Sequence, residues 1–142
     1  MGVKLKLVPM AFNDLLPALE SGRVDMVMSS MTMLPQRNLK VAFVGPYMVS
    51  GRSLLTRQET LASVQDGSEI NSPNTTLVAL KGSTSQLFVE KGLPKAKLVT
   101  TETYDEAIDL VAQEKADALV ADYQYCLFAI LRYPGKGLIS KT

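Results

Sequence analysis

The sequence contains no histidine and only one cysteine in 142 residues. Histidine is the commonest general base in enzymes and the commonest metal ligand, so its absence removes both. A Ser-His-Asp or Cys-His catalytic group is therefore excluded within one chain. Cys126 has no partner for an internal disulfide, and its apolar surroundings predict a small buried side chain.

The sequence also lacks a charge excess and a long apolar run. The net charge is +1, which indicates neither a nucleic-acid partner nor an acidic disordered tail. No stretch approaches the roughly 20 apolar residues that a membrane helix needs, and the first residues do not resemble a secretory signal. With 46% hydrophobic and 20% charged residues, the composition is that of a globular domain with enough material for a core.

Segments with strand and helix patterns alternate along the chain, which predicts an α/β architecture with mostly parallel sheets. Short apolar or alternating runs predict strands, and apolar residues at helical spacing predict helices. The predicted strands are 3–9, 24–30, 75–80, 96–102, 117–122 and 137–142, and the predicted helices are 12–22, one starting near 35, 81–92, 103–116 and 123–133. Residues 41–57 are predicted to be largely extended, and 58–74 to form a short helix followed by a loop.

Polar residues follow several of these predicted strands. Ser30, Thr32 and Arg37 follow the second one, and Ser83 and Thr84 follow the strand 75–80. In α/β folds the carboxyl ends of the strands face the crevice that binds ligands. Arginine can grip a carboxylate with two hydrogen bonds, and the first turn of a helix favours an anion. For the segment of Arg37 the alternative is a polar loop with a solvated arginine. For Ser83 and Thr84 the alternative is that one of them only caps the following helix.

Asp122 ends the strand 117–122, where it could accept hydrogen bonds from an ammonium group or cap the next helix. Phe12 and Tyr47 could form apolar walls, although aromatic residues more often belong to the core. Together, the arginine, the hydroxyls, the acid and the aromatic residues match the groups of one ligand, an α-amino acid.

Three segments resemble the signatures of the periplasmic amino-acid-binding proteins that serve bacterial ABC importers. They are LLPALESGRVDMVMSSMTMLPQRNLKVAFVGPYMVSGRSLL at 15–55, VALKGSTSQ at 78–86 and KADALVAD at 115–122. The resemblance covers nearly the whole chain in the right order. One departure is Leu34, where the family usually has threonine.

The resemblance implies a role for each candidate site residue. Arg37 would bind the ligand carboxylate, Asp122 would bind the α-amine, and Phe12 would stack on the ligand. The hydroxyls that would add hydrogen bonds are Ser30, Thr32, Ser83 and Thr84.

The resemblance also implies two small doubly wound, mostly parallel lobes, of which the first is incomplete. We expect a partial first lobe at 1–57, a linker at 58–73, a second lobe at 74–137 and the start of a return strand at 138–142. Segments 3–8 and 24–28 would then lack the strand that lies between them in the family. Unpaired strand edges are association sites, so a homodimer formed by strand exchange or edge pairing is expected, with direct pairing of the two segments as the alternative.

The leading interpretation is a non-enzymatic solute-binding module for an amino acid, or a truncated paralogue of one with weakened binding. The implied location is periplasmic or extracytoplasmic, and the implied partners are the membrane subunits of an ABC transporter. No cofactor, metal ion, catalytic residue or nucleic acid is expected. The alternatives are a dimerising structural remnant that binds nothing small, or an enzyme similar to a cyclic-acid dehydratase on the same scaffold.

Overall fold

The computed structural model describes residues 2–141, and within them the strands form a single five-stranded sheet. The strand order is β3-β2-β4-β1-β5. Strands β2, β3 and β4 run parallel, while β1 is antiparallel to both β4 and β5. The strands are β1 Arg52–Thr56, β2 Thr76–Leu80, β3 Lys97–Thr101, β4 Ala118–Asp122 and β5 Ile139–Lys141.

Helices connect the parallel strands, as the alternating pattern predicts. A short 3-10 turn at Phe12–Asp14 leads into the first helix. Serine and threonine hydroxyls cap α4 and α5, where Ser83 accepts from the Gln86 N–H and Thr103 accepts from the Glu106 N–H. The helices are α1 Leu15–Glu20, α2 Pro35–Asn38, α3 Glu59–Ser63, α4 Thr84–Gly92, α5 Tyr104–Ala112 and α6 Tyr123–Arg132.

The core lies on both faces of the sheet, because the two central strands are apolar on both sides. Leu77 and Val120 face a cluster that includes residues of α4, and Val78 and Leu119 face a cluster that includes residues of α5 and α6. Strands buried on both faces read as continuous apolar runs, as seen in β2 and β4. The prediction of a buried Cys126 is confirmed, since its side chain packs in the second of these clusters.

The edge of the sheet is completed by two segments that are distant in sequence. Residues 52–56, placed by sequence in the first lobe, pair with β4, and residues 139–141 pair with β1. The division of the chain into lobes stays a prediction, but the sheet groups 52–56 with the elements of the second one. Met1, the first residue of the predicted partial lobe, and Thr142, the last residue of the predicted return strand, lie outside the described residues.

The predicted strands at 3–9 and 24–30 are wrong, because neither segment forms a ladder. Most of their apolar side chains are exposed, with 82% exposure for Leu7 and 81% for Met28. Alternating apolar residues favour an extended chain, but a strand also needs a partner for its N–H and C=O groups. Within residues 2–141 neither segment pairs with a neighbouring strand, and the two segments do not pair with each other.

Candidate functional site

The seven site residues predicted from sequence all line one pocket at the carboxyl ends of the parallel strands. The pocket is tightly packed, with a cavity volume of about 10 Å³, which is the space for roughly one water molecule. Three further residues line it that sequence reasoning did not identify. The lining is Phe12, Ser30, Thr32, Arg37, Ser83, Thr84, Ser85, Tyr104, Asp122 and Tyr125.

Arg37 joins the two sides of this pocket through its guanidinium. Its NH1 group donates to the Thr32 carbonyl at 2.9 Å, and its NH2 group donates to the Gly82 carbonyl at 3.0 Å. The guanidinium carbon lies 5.9 Å from the centroid of the Phe12 ring. Burial lowers the pKa of Arg37, because desolvation disfavours the charged form. A partly desolvated cation that bonds only to neutral carbonyls is a strong site for a carboxylate.

The first turn of α4 forms the neighbouring wall. Gly82 adopts φ +73° just before this helix, a conformation that glycine adopts without the steric cost of a side chain. The Ser83 hydroxyl is used to cap the helix, at 3.2 Å from the Gln86 nitrogen. The Thr84 hydroxyl lies 3.4 Å from the Thr32 hydroxyl across the pocket. Free N–H groups of the first turn and the helix dipole favour a negative charge here.

Asp122 supplies the negative charge of the pocket. It occupies the position before α6, yet its side chain makes no capping hydrogen bond. The alternative that it serves as a helix cap is therefore not realised in the structure. Burial raises the pKa of Asp122, and the nearby charge of Arg52 opposes that rise. The carboxylate is half-buried and available as an acceptor for an ammonium group.

Tyr104 and Tyr125 form an aromatic wall that sequence reasoning missed. Their rings are stacked with centroids 4.0 Å apart and an angle of 26° between the planes. Burial raises the pKa of Tyr104 well above its ordinary value, so its hydroxyl stays protonated. Each tyrosine lies in the first turn of a helix that follows a parallel strand. This position after a strand could have identified the two tyrosines as candidate site residues, and Ser85 occupies the same kind of position in α4.

Tyr47, expected as an apolar wall, lies outside the pocket lining. Its side chain is 64% exposed, and its hydroxyl donates to the Ser29 carbonyl at 2.6 Å. Tyr47 therefore stabilises the loop that carries Ser30 and does not contribute to the pocket lining.

In the part of the chain that the structure describes, no helix has the length and apolarity needed to cross a membrane.

Comparison with known proteins identifies this architecture. The chain is similar to the glutamine-binding protein of Geobacillus stearothermophilus, with 29% identity over 120 residues, which are 84% of this chain and 44% of the relative. It is also similar to the crystal structure of an ancestral amino-acid-binding protein described as a precursor of cyclohexadienyl dehydratase. That match has 33% identity and a TM-score of 0.89, and it covers 99% of this chain and 60% of the other.

A third match is an ancestral arginine-binding protein bound to arginine, with 27% identity and a TM-score of 0.90. It covers 99% of this chain and 62% of the other, so the chain spans roughly half the length of these proteins. The fold is thus the α/β fold of the periplasmic binding proteins, present in part. Residues 1–123 match the family model, and the chain belongs to the bacterial extracellular solute-binding proteins, family 3.

Proposed function

We propose that this chain binds the α-carboxylate and α-ammonium groups of an amino acid. The observation that supports this most is the convergence of Arg37, the first turn of α4 and the uncapped Asp122 on one pocket. The carboxylate would bind at the guanidinium and at the helix N-terminus, and the ammonium at Asp122. Phe12 and the stacked tyrosines would cover the apolar part of the ligand.

Ligand binding would replace hydrogen bonds that Arg37 already makes. In the structure this side chain donates to the carbonyls of Thr32 and Gly82. A guanidinium binds a carboxylate with two parallel hydrogen bonds and with a charge attraction that a neutral carbonyl does not offer, so the exchange favours the ligand. Because the guanidinium belongs to one segment and the helix N-terminus to another, a carboxylate bound to both would hold the 30–37 loop and the turn before α4 together.

The relatives support an amino acid as the ligand class, since their names specify glutamine and arginine. By resemblance, we also propose an extracytoplasmic location and a role in ABC-type import with the transporter's membrane subunits as partners. These assignments concern the full length of the related proteins, and this chain matches about half of that length. No cofactor or metal ion takes part in the proposed binding.

We further propose that two copies of the chain associate through residues 3–8. Val3, Leu5 and Leu7 alternate with lysines and are at least 75% exposed, so they present one apolar face beside unpaired backbone groups. Such an edge favours pairing with a second copy. Sedimentation equilibrium tests this proposal: Leu5→Lys should shift the mass toward the monomer, and a monomeric wild-type chain would refute it.

Calorimetric titration with the twenty amino acids tests the proposed binding. Asp122→Asn should weaken the affinity at least tenfold, because it removes the charge that pairs with the ammonium. Asp105→Asn is the matched control, since Asp105 is exposed and bonds to Arg132 and Tyr133 outside the pocket. Arg37→Lys should also weaken binding, because lysine lacks the planar fork, whereas Arg132→Lys should not.

The alternative functions give different results in the same experiments. A structural remnant would give no heat with any amino acid while still forming a dimer. A dehydratase would turn over a cyclic acid such as prephenate or arogenate, and one relative's description as a dehydratase precursor makes that assay worthwhile. Absence of binding by all twenty amino acids in a folded sample would overturn the proposal.

A further inference from the structure

The carboxyl group of Asp122 is poorly compensated by its own surroundings. It makes no capping hydrogen bond to α6, and among residues 2–141 it takes part in none of the ion pairs. A half-buried carboxylate without a partner is costly in its charged form and tends to take up a proton. Something else in the fold must keep it ionised if it is to bind an ammonium group.

Arg52 is placed to do this from the neighbouring strand. In the antiparallel pairing of β1 with β4, Arg52 lies directly opposite Asp122. Residues paired in this way carry their side chains on the same face of the sheet. The Arg52 guanidinium carbon lies 4.2 Å from the centroid of the Phe88 ring on α4, which holds the cation without a direct ion pair to the acid.

We propose that Arg52 is a positioning residue of the site: stacked on Phe88, it keeps the Asp122 carboxylate charged while leaving its oxygens free for a ligand ammonium. A direct salt bridge would also keep the acid charged, but it would occupy the oxygens. Arg52 itself does not line the pocket. The last step, acceptance of the ammonium, rests on the proposed amino-acid binding.

Other titratable groups that face Asp122 do not supply a positive charge. Tyr104 on α5 and Cys126 on α6 interact with it electrostatically, and burial raises the pKa of both, so they stay uncharged at neutral pH. Tyr125 on α6 stacks against Tyr104. Arg37 lines the same pocket and carries a positive charge, but it is not the cation that lowers the pKa of Asp122. Arg52 on β1 is the cation whose charge opposes the effect of burial on Asp122.

The direct test is an NMR titration of the Asp122 carboxyl carbon, which needs no ligand. In Arg52→Gln the titration midpoint should move upward, and in Arg52→Lys it should stay below that of the glutamine variant. Arg52→Met, whose side chain can still pack on Phe88, gives the same comparison if glutamine is not tolerated at this position. Arg132→Gln is the matched control, because Arg132 also lies over a ring, that of Tyr133, but is not paired with β4. An unchanged midpoint in folded Arg52→Gln would overturn the proposal.

A second readout follows if the chain binds an amino acid. Arg52→Gln should weaken binding several-fold at a pH near the midpoint, because more of the Asp122 population is protonated. Well above the midpoint it should bind as tightly as the wild type or tighter, since Arg52 also repels an ammonium. On an Asp122→Asn background this pH-dependent effect should vanish. A merely structural role would weaken binding equally at every pH, and that result would refute the proposal. If no amino acid binds, the carboxyl titration still tests the role of Arg52 separately.

Discussion

The turn before α4 offers the sharpest test of how the two sides of the pocket fit together. Gly82 has φ +73°, and a Cβ atom built on it would lie 3.3 Å from the Asn13 Cβ. Gly82→Ala should therefore carry two costs. The left-handed backbone costs about 1–2 kcal/mol for an alanine. The close contact with Asn13 adds overpacking, so the total should reach about 2–4 kcal/mol.

Two other glycines separate these costs. Gly22 has φ +72° and Gly135 has φ +89°, and an added Cβ at either position meets no atom within 4 Å. Gly22→Ala and Gly135→Ala should each cost only the backbone part, about 1–2 kcal/mol. The double variant with Asn13→Gly and Gly82→Ala should recover the contact part, because it removes the opposing Cβ.

Equilibrium urea unfolding, followed by circular dichroism, measures all of these variants. The result that would refute the reasoning is a Gly82→Ala variant no less stable than Gly22→Ala and Gly135→Ala. That outcome would mean that residues 12–13 do not pack against the turn. The close approach that brings Phe12 into the pocket would then be absent in solution.

Three further results are expected. Leu119→Ala should destabilise the chain by about 2–5 kcal/mol in urea unfolding, because Leu119 is fully buried in the central strand, whereas the exposed Leu131→Ala should cost little. Thr103→Ala should cost about 1 kcal/mol through loss of the cap on the Glu106 N–H at 3.2 Å, and Thr103→Ser should restore it. Burial raises the pKa of Cys126 to about 11, so the protonated thiol favours the folded state; this contribution is complete below about pH 9 and is lost as the pH rises to about 11. The wild type should lose about 2–3 kcal/mol more than Cys126→Ala over that range, and equal losses would contradict the assignment.

Part of the pocket could be predicted from the sequence, because ligands of α/β folds bind at the carboxyl ends of the parallel strands. Ser83 follows β2 and Asp122 ends β4, and parallel strands direct such residues to one crevice. Arg37 is predicted by the same rule, but the segment before it forms no strand, and its guanidinium meets this crevice through a hydrogen bond to the Gly82 carbonyl. Tyr104 and Tyr125 obey the same rule, but an aromatic residue at the start of an amphipathic helix reads equally well as core. Only the packing of α5 against α6 shows that the two rings meet.

The fold could be predicted where each element carries its own local signal. β2 and β4 are apolar runs, and each forms a strand where its run is predicted. The pairing of β1 with β4 could not be predicted, because its partners are 62 to 70 positions apart and no local sequence pattern specifies their register. Segments 3–9 and 24–30 show the converse error, because their local pattern favours strands while the partners that strands need are not among residues 2–141.

The pairing of β1 has a consequence for the order in which the chain acquires structure during synthesis. β1 is made early, but its partners in β4 and β5 are made much later; Ser53 and Ser140, whose hydroxyls lie 2.8 Å apart, are separated by 87 positions. Closing so long a loop is slow, and the first fifty residues emerge with their valine and leucine side chains uncovered. The nascent chain should therefore be a client of ribosome-associated chaperones until β4 leaves the exit tunnel.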